Sequence, residues 1–342
     1  MTESLPLLRQ DHTRPTLKTI ALETGLAIAT VSRALKDAPD IGEETKRRVR
    51  AVAERLGYRP NRAGVRLRTG KTNVIALVMS TEADVMNHTS RLIYAISAAL
   101  RGTAYHLIVM PFFPEEDPMT PIRYVVETES ADALILNQTQ PNDPRIRYMA
   151  EQGFPFAAHG RTDMGIDHPY FDYDNDAFAR IAVRELARRN RRRLMLIAPP
   201  RGHNYARHMI TGFADEAAQL GLTFEIPTHV TSDSGSIAVE SAIEARMQQD
   251  DPPDGFLVGS TTAAMAAVAG AERVGYDIGQ DFDLVSKEAI PFLRRFRHQM
   301  IVGFEDVGQA GDFLARAALA AIDRAAPTDW QYLDRPGKLD AD

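Results

Sequence analysis

Between Thr16 and Leu67 the sequence reads as three short helices followed by a basic, proline-opened fourth, and no other stretch constrains the fold as much. Its centre runs from Thr19 to Leu35. Apolar residues at Ile20, Ala21, Leu26, Val31 and Leu35 fit two helices packed across a tight turn, with Gly25 supplying the turn. That is a helix-turn-helix pattern, and its second helix is sized for a DNA major groove.

Charge is distributed to match. Residues 1–72 hold 15 Lys+Arg against 8 Asp+Glu, a net of +7, while the other 270 residues carry −13. The overall charge of −6 therefore hides a small basic segment on a large acidic body. Phosphate repels the acidic body, so contact with nucleic acid falls to the basic segment.

A third helix follows from Glu43 to Leu56. Gly42 suits its N-cap, Glu43 and Glu44 suit its positive end, and Gly57 stands where a C-terminal glycine belongs. Val49, Val52, Ala53 and Leu56 mark its inner stripe. Three features then coincide: Thr30-Val31-Ser32-Arg33, the run Leu56-Gly57-Tyr58-Arg59-Pro60-Asn61, and Leu67. In these the chain closely resembles the lactose-repressor family of bacterial transcription regulators.

That resemblance implies a headpiece whose second helix reads half of a pseudo-palindromic operator in double-stranded DNA. The family's base-reading positions fall on Ile28, Ala29 and Arg33. Arg33 can donate two bonds to a guanine edge, and the other two offer apolar contact to thymine methyls. A solvated Arg33 and a core Ile28 are the plain alternatives. Thr19, Thr30, Ser32, Asn61 and Arg62 suit phosphate or sugar. Pro60–Leu67 resembles the family's hinge helix, in which Leu67 corresponds to the leucine wedged into the minor groove of a dimer-bound site. Ala27 replaces a serine cap, and Gly64 replaces an alanine in the hinge; each costs about 1 kcal/mol of helix stability.

Beyond Thr72, apolar runs such as Val74–Met79, Leu107–Met110, Ala133–Leu136, Leu194–Ile197 and Gly255–Val258 alternate with amphipathic stretches. This is the pattern of parallel α/β sheets. The length of the body exceeds one comfortable core. The resemblance implies two lobes like those of periplasmic binding proteins, with three crossovers, the first near Asp172–Asn175 and the second near Ile301–Phe304. The expected organisation is a disordered extension over 1–15, a headpiece over 16–59, a hinge and linker over 60–72, and an effector domain over 73–332. Lobe 1 covers about 73–172 and 303–330, lobe 2 covers 173–302, and 333–342 is a loose tail.

The family's effector positions map onto Ser80, Asn87, His88, Arg161, Phe171, Arg207, Ser260, Glu288 and Glu305. Polar groups beside one aromatic face suit a sugar. Phe171 is equally readable as core, His88 as a surface loop residue, and Glu288 and Glu305 as solvated. The sequence also departs from the family's commonest pocket, with Met209 in place of an arginine, Gly259-Ser260-Thr261-Thr262 in place of Asn-Asp, and Lys287-Glu288-Ala289 in place of Asp-Asp. The headpiece, with Asn87-His88-Thr89 and His159-Gly160-Arg161-Thr162, resembles the family's α-glucoside-utilisation regulators.

Other function classes fare worse. Gly70-Lys71-Thr72 lacks the first glycine of a phosphate loop and precedes a strand rather than following one. His159/His168 and His203/His208 are poorly spaced for a metal, and there is no cysteine. Neither an enzyme nor a cofactor or metal site is expected. Residues 1–15 lack a secretory pattern and no apolar run approaches a membrane span. The expectation is a cytoplasmic homodimer or tetramer that represses carbohydrate-utilisation genes and leaves its operator when a sugar binds. A regulator answering a sugar phosphate or a non-sugar effector, and a sugar-binding protein without a transcriptional role, remain the alternatives.

Overall fold

A computed structural model describes residues 15–59, 70–80, 86–113, 115–288 and 292–340, with the side chains of Met86, Asn87 and Phe296 left out. The chain divides into two compact units, one ending at Thr72 and one beginning at Asn73.

The first unit holds α1 (Leu17–Thr24), α2 (Ile28–Leu35) and α3 (Glu43–Arg55). A capping box opens α1, with the Thr16 and Thr19 side chains each bonded to the other's backbone N–H. Gly25 ends α1 in the left-handed region at φ 66°, which any side chain would strain. Ala27 caps α2 with no side-chain bond. Ile20, Ala21, Val31, Ala34, Val49 and Ala53 interlock as a small core, walled by Leu26, Leu35, Val52 and Leu56.

The second unit is built on two parallel sheets. The first carries β1 (Val74–Ser80), β2 (His106–Phe112), β3 (Ala133–Leu136), β4 (Phe156–His159), β5 (Tyr170–Tyr173) and β11 (Gln331–Asp334), in the order β11-β5-β4-β3-β1-β2. The second carries β6 (Arg193–Ile197), β7 (Thr223–Glu225), β8 (Gly255–Val258), β9 (Asp283–Glu288) and β10 (Ile301–Phe304), in the order β10-β9-β8-β6-β7. Central strands such as β3 and β8 are buried throughout, because helices cover both faces of each sheet. On the first sheet α4 (Met86–Ala99) packs against α12 (Val307–Ile322). They approach so closely that a Cβ on Gly311 would lie 2.5 Å from that of Ala95. On the second sheet α7 (Asn175–Arg188) packs on α8 (Asn204–Gln219), and α9 (Ser236–Met247) packs on α10 (Thr261–Arg273).

The chain leaves the first sheet after Tyr173, returns after Phe304, and departs again after Asp334. Two corrections to the sequence reading follow. Ile301–Phe304 is a strand of the second sheet, so the return begins beyond it rather than at residue 303. The supposed loose tail is held: β11 pairs with β5 from Tyr170↔Gln331 to Tyr173↔Asp334, and Asp340 forms an antiparallel bridge with Val302. The cause is aromatic. Tyr332 stacks on Phe171 at 5.2 Å, and both meet Phe313, which in turn meets Trp330.

Candidate DNA-reading face and effector pocket

Helix α2 separates its duties by face. Val31 and Ala34 are buried in the core, while Ile28 is 49% exposed and Ala29 and Arg33 also face solvent. An isoleucine left half-exposed on a short helix is available for apolar contact. The Arg33 guanidinium pairs with Asp40, beyond the end of α2. Thr30 and Ser32 are partly exposed beside it. Thr19 is engaged in the α1 capping box and helps to fix the helix end. Asn61, Arg62 and Leu67 lie outside the described residues.

In the second unit, strand ends from both sheets converge on one partly open cavity of about 130 Å³. Asn137 and Gln138 follow β3, His159 ends β4, and Asp172 and Tyr173 end β5. Ser260 follows β8, Lys287 is the penultimate residue of β9, and Glu305 follows β10. All stand at carboxyl ends of parallel strands, where open α/β sheets gather ligands. Asn175 and Tyr205, from the starts of α7 and α8, complete the wall with His88 from α4.

Charge in the pocket is closely held. Glu305 is 3% exposed; Lys287 Nζ lies 2.7 Å from its Oε2, and His88 and His159 Nε2 lie 3.5 and 3.7 Å from its Oε1. Burial opposes its charge, yet Lys287 and His88 hold its pKa well below the usual carboxylate range. Burial drives the His159 pKa down to about 3, helped by His88, so this imidazole is neutral near pH 7. Burial pushes Asp172 up to about 7, against the pull of Arg161, whose Nε lies 3.3 Å away. Lys287 also donates to Asn175 Oδ1 at 3.1 Å and sits 5.2 Å from the Tyr173 ring centre. Asn137 Oδ1 and Tyr173 Oη are buried in this wall without a hydrogen-bond partner among the described residues. Burying such groups unpaired costs about 1–3 kcal/mol each, which a polar ligand would recover.

Of the effector positions read from the sequence, His88, Ser260 and Glu305 line this pocket, while Ser80, Arg161, Phe171, Arg207 and Glu288 do not. Ser260 also caps α10, accepting from the Ala263 amide. Phe171 is fully buried in the aromatic cluster with Tyr332 and Phe313, so it is core and offers no face to a ligand. Glu288 is buried and accepts the Phe292 and Leu293 amides, a structural task. Arg207 pairs with Asp163 instead of lining the cavity, and Arg161 is spent on Asp172. Ser80 is buried at the end of β1 and is not among the residues lining the pocket. The Asn87 side chain is outside the described residues. Met209 is core.

The aromatic face belongs to Tyr205, whose ring stacks on His203 at 5.3 Å and 6°. Sequence reasoning missed it, along with His159, Asp172, Tyr173 and Lys287 as pocket residues. The available signal was position: each follows or ends a strand, or opens the helix after one.

A two-lobed ligand-binding fold carrying a helix-turn-helix defines a class: DNA-binding regulators answering a small molecule. Family comparison gives the same division. Residues 16–61 match the bacterial regulatory proteins of the lacI family, and residues 72–302 match the periplasmic binding proteins and sugar-binding domain of that family. The chain belongs to the LacI family of transcriptional regulators. It is 30% identical to the HTH-type transcriptional regulator AglR of Rhizobium meliloti (strain 1021) over 283 residues, covering 81% of this chain and 79% of that one. It is 36% identical to RafR of Escherichia coli over 208 residues, covering 60% and 62%. The fold matches the lac repressor dimer bound to operator and the anti-inducer ONPF with a TM-score of 0.84, at 18% identity over 96% of this chain and 98% of that one. A complex of the regulator CelR with cellobiose gives a TM-score of 0.66 at 20% identity, covering 95% and 98%. Among the described residues no helix is long and apolar enough to cross a membrane.

Proposed function

We propose that the protein is a cytoplasmic, homodimeric repressor of carbohydrate-utilisation genes, and that its effector is a neutral sugar, an α-glucoside disaccharide first. The observation that carries this is the chemistry of the pocket. Amides, carboxylates and hydroxyls line it beside Tyr173 and Tyr205, while Arg161 and Arg207 are each paired with a carboxylate. A sugar phosphate would ask for open guanidinium forks, so the pairing favours the neutral ligand. The relatives point the same way, since the CelR complex holds cellobiose.

DNA recognition is assigned to α2, with Arg33 on a guanine edge, Ile28 and Ala29 on thymine methyls, and Thr30 and Ser32 at the backbone. The segment 60–68 carries Asn61 and Arg62 to the phosphates and Leu67 to the minor groove of a central pyrimidine–purine step. Sugar in the pocket shifts the lobes, and the paired hinge segments of the dimer separate. Operator and sugar then oppose each other by about 1–3 kcal/mol, reciprocally.

A thermal-shift screen over disaccharides, monosaccharides and sugar phosphates tests the ligand, and a gel shift with a pre-formed operator complex tests the release. A cognate disaccharide at 100 times its dissociation constant stabilises the body by about 2.7 kcal/mol. Tyr205→Ala removes that shift and spares operator binding. A response confined to phosphorylated sugars, or a bound sugar that leaves operator affinity unchanged, would falsify the respective half of the proposal.

A further inference from the structure

We propose that His88, His159 and Glu305 form a site for one divalent transition-metal ion, zinc or its cobalt and nickel analogues, inside the effector pocket. The three donors come from separate parts of the chain: the first turns of α4, the end of β4, and the residue after β10. Their ligating atoms nevertheless lie within 4.8 Å of one another. Both imidazole Nε2 atoms face the same carboxylate oxygen, Glu305 Oε1, at 3.5 and 3.7 Å. Those spans are too long for strong hydrogen bonds. They are close to the roughly 3.4 Å between neighbouring ligands of a tetrahedral ion with bonds of about 2.0–2.1 Å. The imidazoles stack at 5.1 Å and 16°, so closing on an ion requires each ring to turn about its Cβ–Cγ bond. That torsion is broad and turns cheaply.

The surroundings suit an ion better than they suit the trio alone. Lys287 holds Oε2 at 2.7 Å, which fixes the carboxylate plane and leaves Oε1 turned towards the two histidines. A bond from an outer group that orients a ligating carboxylate is the usual support of a metal centre. Two imidazoles and one carboxylate select zinc, cobalt or nickel over calcium or magnesium, which prefer all-oxygen shells. The chain has no cysteine to compete for the ion. Three protein ligands leave a fourth position, and because all three residues line the pocket it faces the space a ligand enters. A hydroxyl of a polyhydroxy ligand, or water, would complete the shell. The Lys287 ammonium also repels a dication, so affinity is limited by that residue.

The experiment uses the full chain after chelator treatment, titrated with cobalt(II) and followed by visible absorption, with zinc(II) titration calorimetry alongside. One equivalent of cobalt should give the intense absorption of a four-coordinate ion, displaced by zinc. His88→Gln and Glu305→Gln should each weaken affinity at least tenfold, and His298→Gln, an exposed histidine elsewhere, should change nothing. If Glu305→Gln fails to fold, the half-buried His88 still carries the test. Absence of a stoichiometric cobalt spectrum, or equal binding by wild type and His88→Gln, overturns the site. Sugar binding measured in chelator remains a separate readout, so failure here leaves the effector assignment untouched.

Discussion

The helix proposed to read DNA and the pocket proposed to hold the effector solve opposite problems with the same alphabet. On α2 the proposed reading residues and the core occupy different faces: Val31 and Ala34 hold the core, and Ile28, Ala29 and Arg33 face outward. In the pocket they cannot be separated. Asp172, Glu305 and His159 are nearly buried, charged or chargeable, and bonded into the strand ends that make the fold. An outward residue can change without a folding penalty. A buried pocket residue cannot, so recognition of the effector is tied to the stability of the lobes. Substitutions on α2 should therefore alter affinity alone, and substitutions around the pocket should alter stability as well.

The largest effect is expected at Phe171, on the boundary between the pocket and the core. It is fully buried against Tyr332 and Phe313, so Phe171→Ala should cost about 3–5 kcal/mol of stability. Urea unfolding measures this directly. A variant of unchanged stability that has lost its sugar response would return Phe171 to the ligand and remove the distinction drawn here.

Arg33 tests the other side. Arg33→Ala should weaken operator binding by about 1–3 kcal/mol and relax sequence choice, with no loss in melting temperature. Asp40 is the internal competitor, because the guanidinium must leave it to reach a base. Gel shifts against operator and scrambled DNA, paired with thermal melts, check both halves. A melting temperature that falls together with affinity would show that α2 does not divide its faces.

The same contrast explains what could be read beforehand. The headpiece is local: spacing within Thr19–Leu35 and the capped α3 carry its helices, and the reading face follows from helical phase. The alternating strands and helices of the body were also legible, since each is a contiguous run. The pocket is assembled from residues as distant as His88 and Glu305, and only the sheet order brings them together. Phe171 looked like a sugar platform because nothing local shows that β11 will cover it. Tyr205 carries no signal in the sequence because nothing local shows that its helix begins at the pocket rim. Arg207 and Glu288 have the right chemistry for a ligand, yet Asp163 and two backbone amides satisfy them first.

A pH measurement sharpens the claim that buried polar groups near the pocket are coupled to stability. Burial, with Arg161 and Arg207 nearby, lowers the His208 pKa from 6.5 to about 4. In the unfolded chain this group protonates near 6.5, and in the folded chain only near 4. Its contribution is therefore fully present above pH 6.5 and is lost as pH falls towards 4, by at most about 1.4 kcal/mol per pH unit. His208→Gln should flatten that part of the pH–stability curve. An unchanged slope would show that His208 titrates alike in both states.

The smallest effect is at the latch between the lobes. Arg207, 54% exposed at its side chain, reaches from α8 to Asp163 on the opposite lobe, and neighbouring Asn204 donates to the Arg161 carbonyl at 3.0 Å. An exposed ion pair contributes only about 0.2–1 kcal/mol, so Arg207→Ala should barely move the unfolding midpoint. Its consequence lies in the equilibrium between open and closed lobes, where even that small term shifts populations severalfold. The variant should bind sugar more weakly, since closure is no longer assisted, while keeping the contact proposed for Tyr205. It should also raise the His208 pKa by removing a neighbouring positive charge, which histidine NMR titration detects. If the pKa rises and sugar affinity holds, Arg207 tunes only local electrostatics and closure is carried by the Asn204 bonds. If both move, one ion pair on the pocket's rim sets the balance between the two lobes.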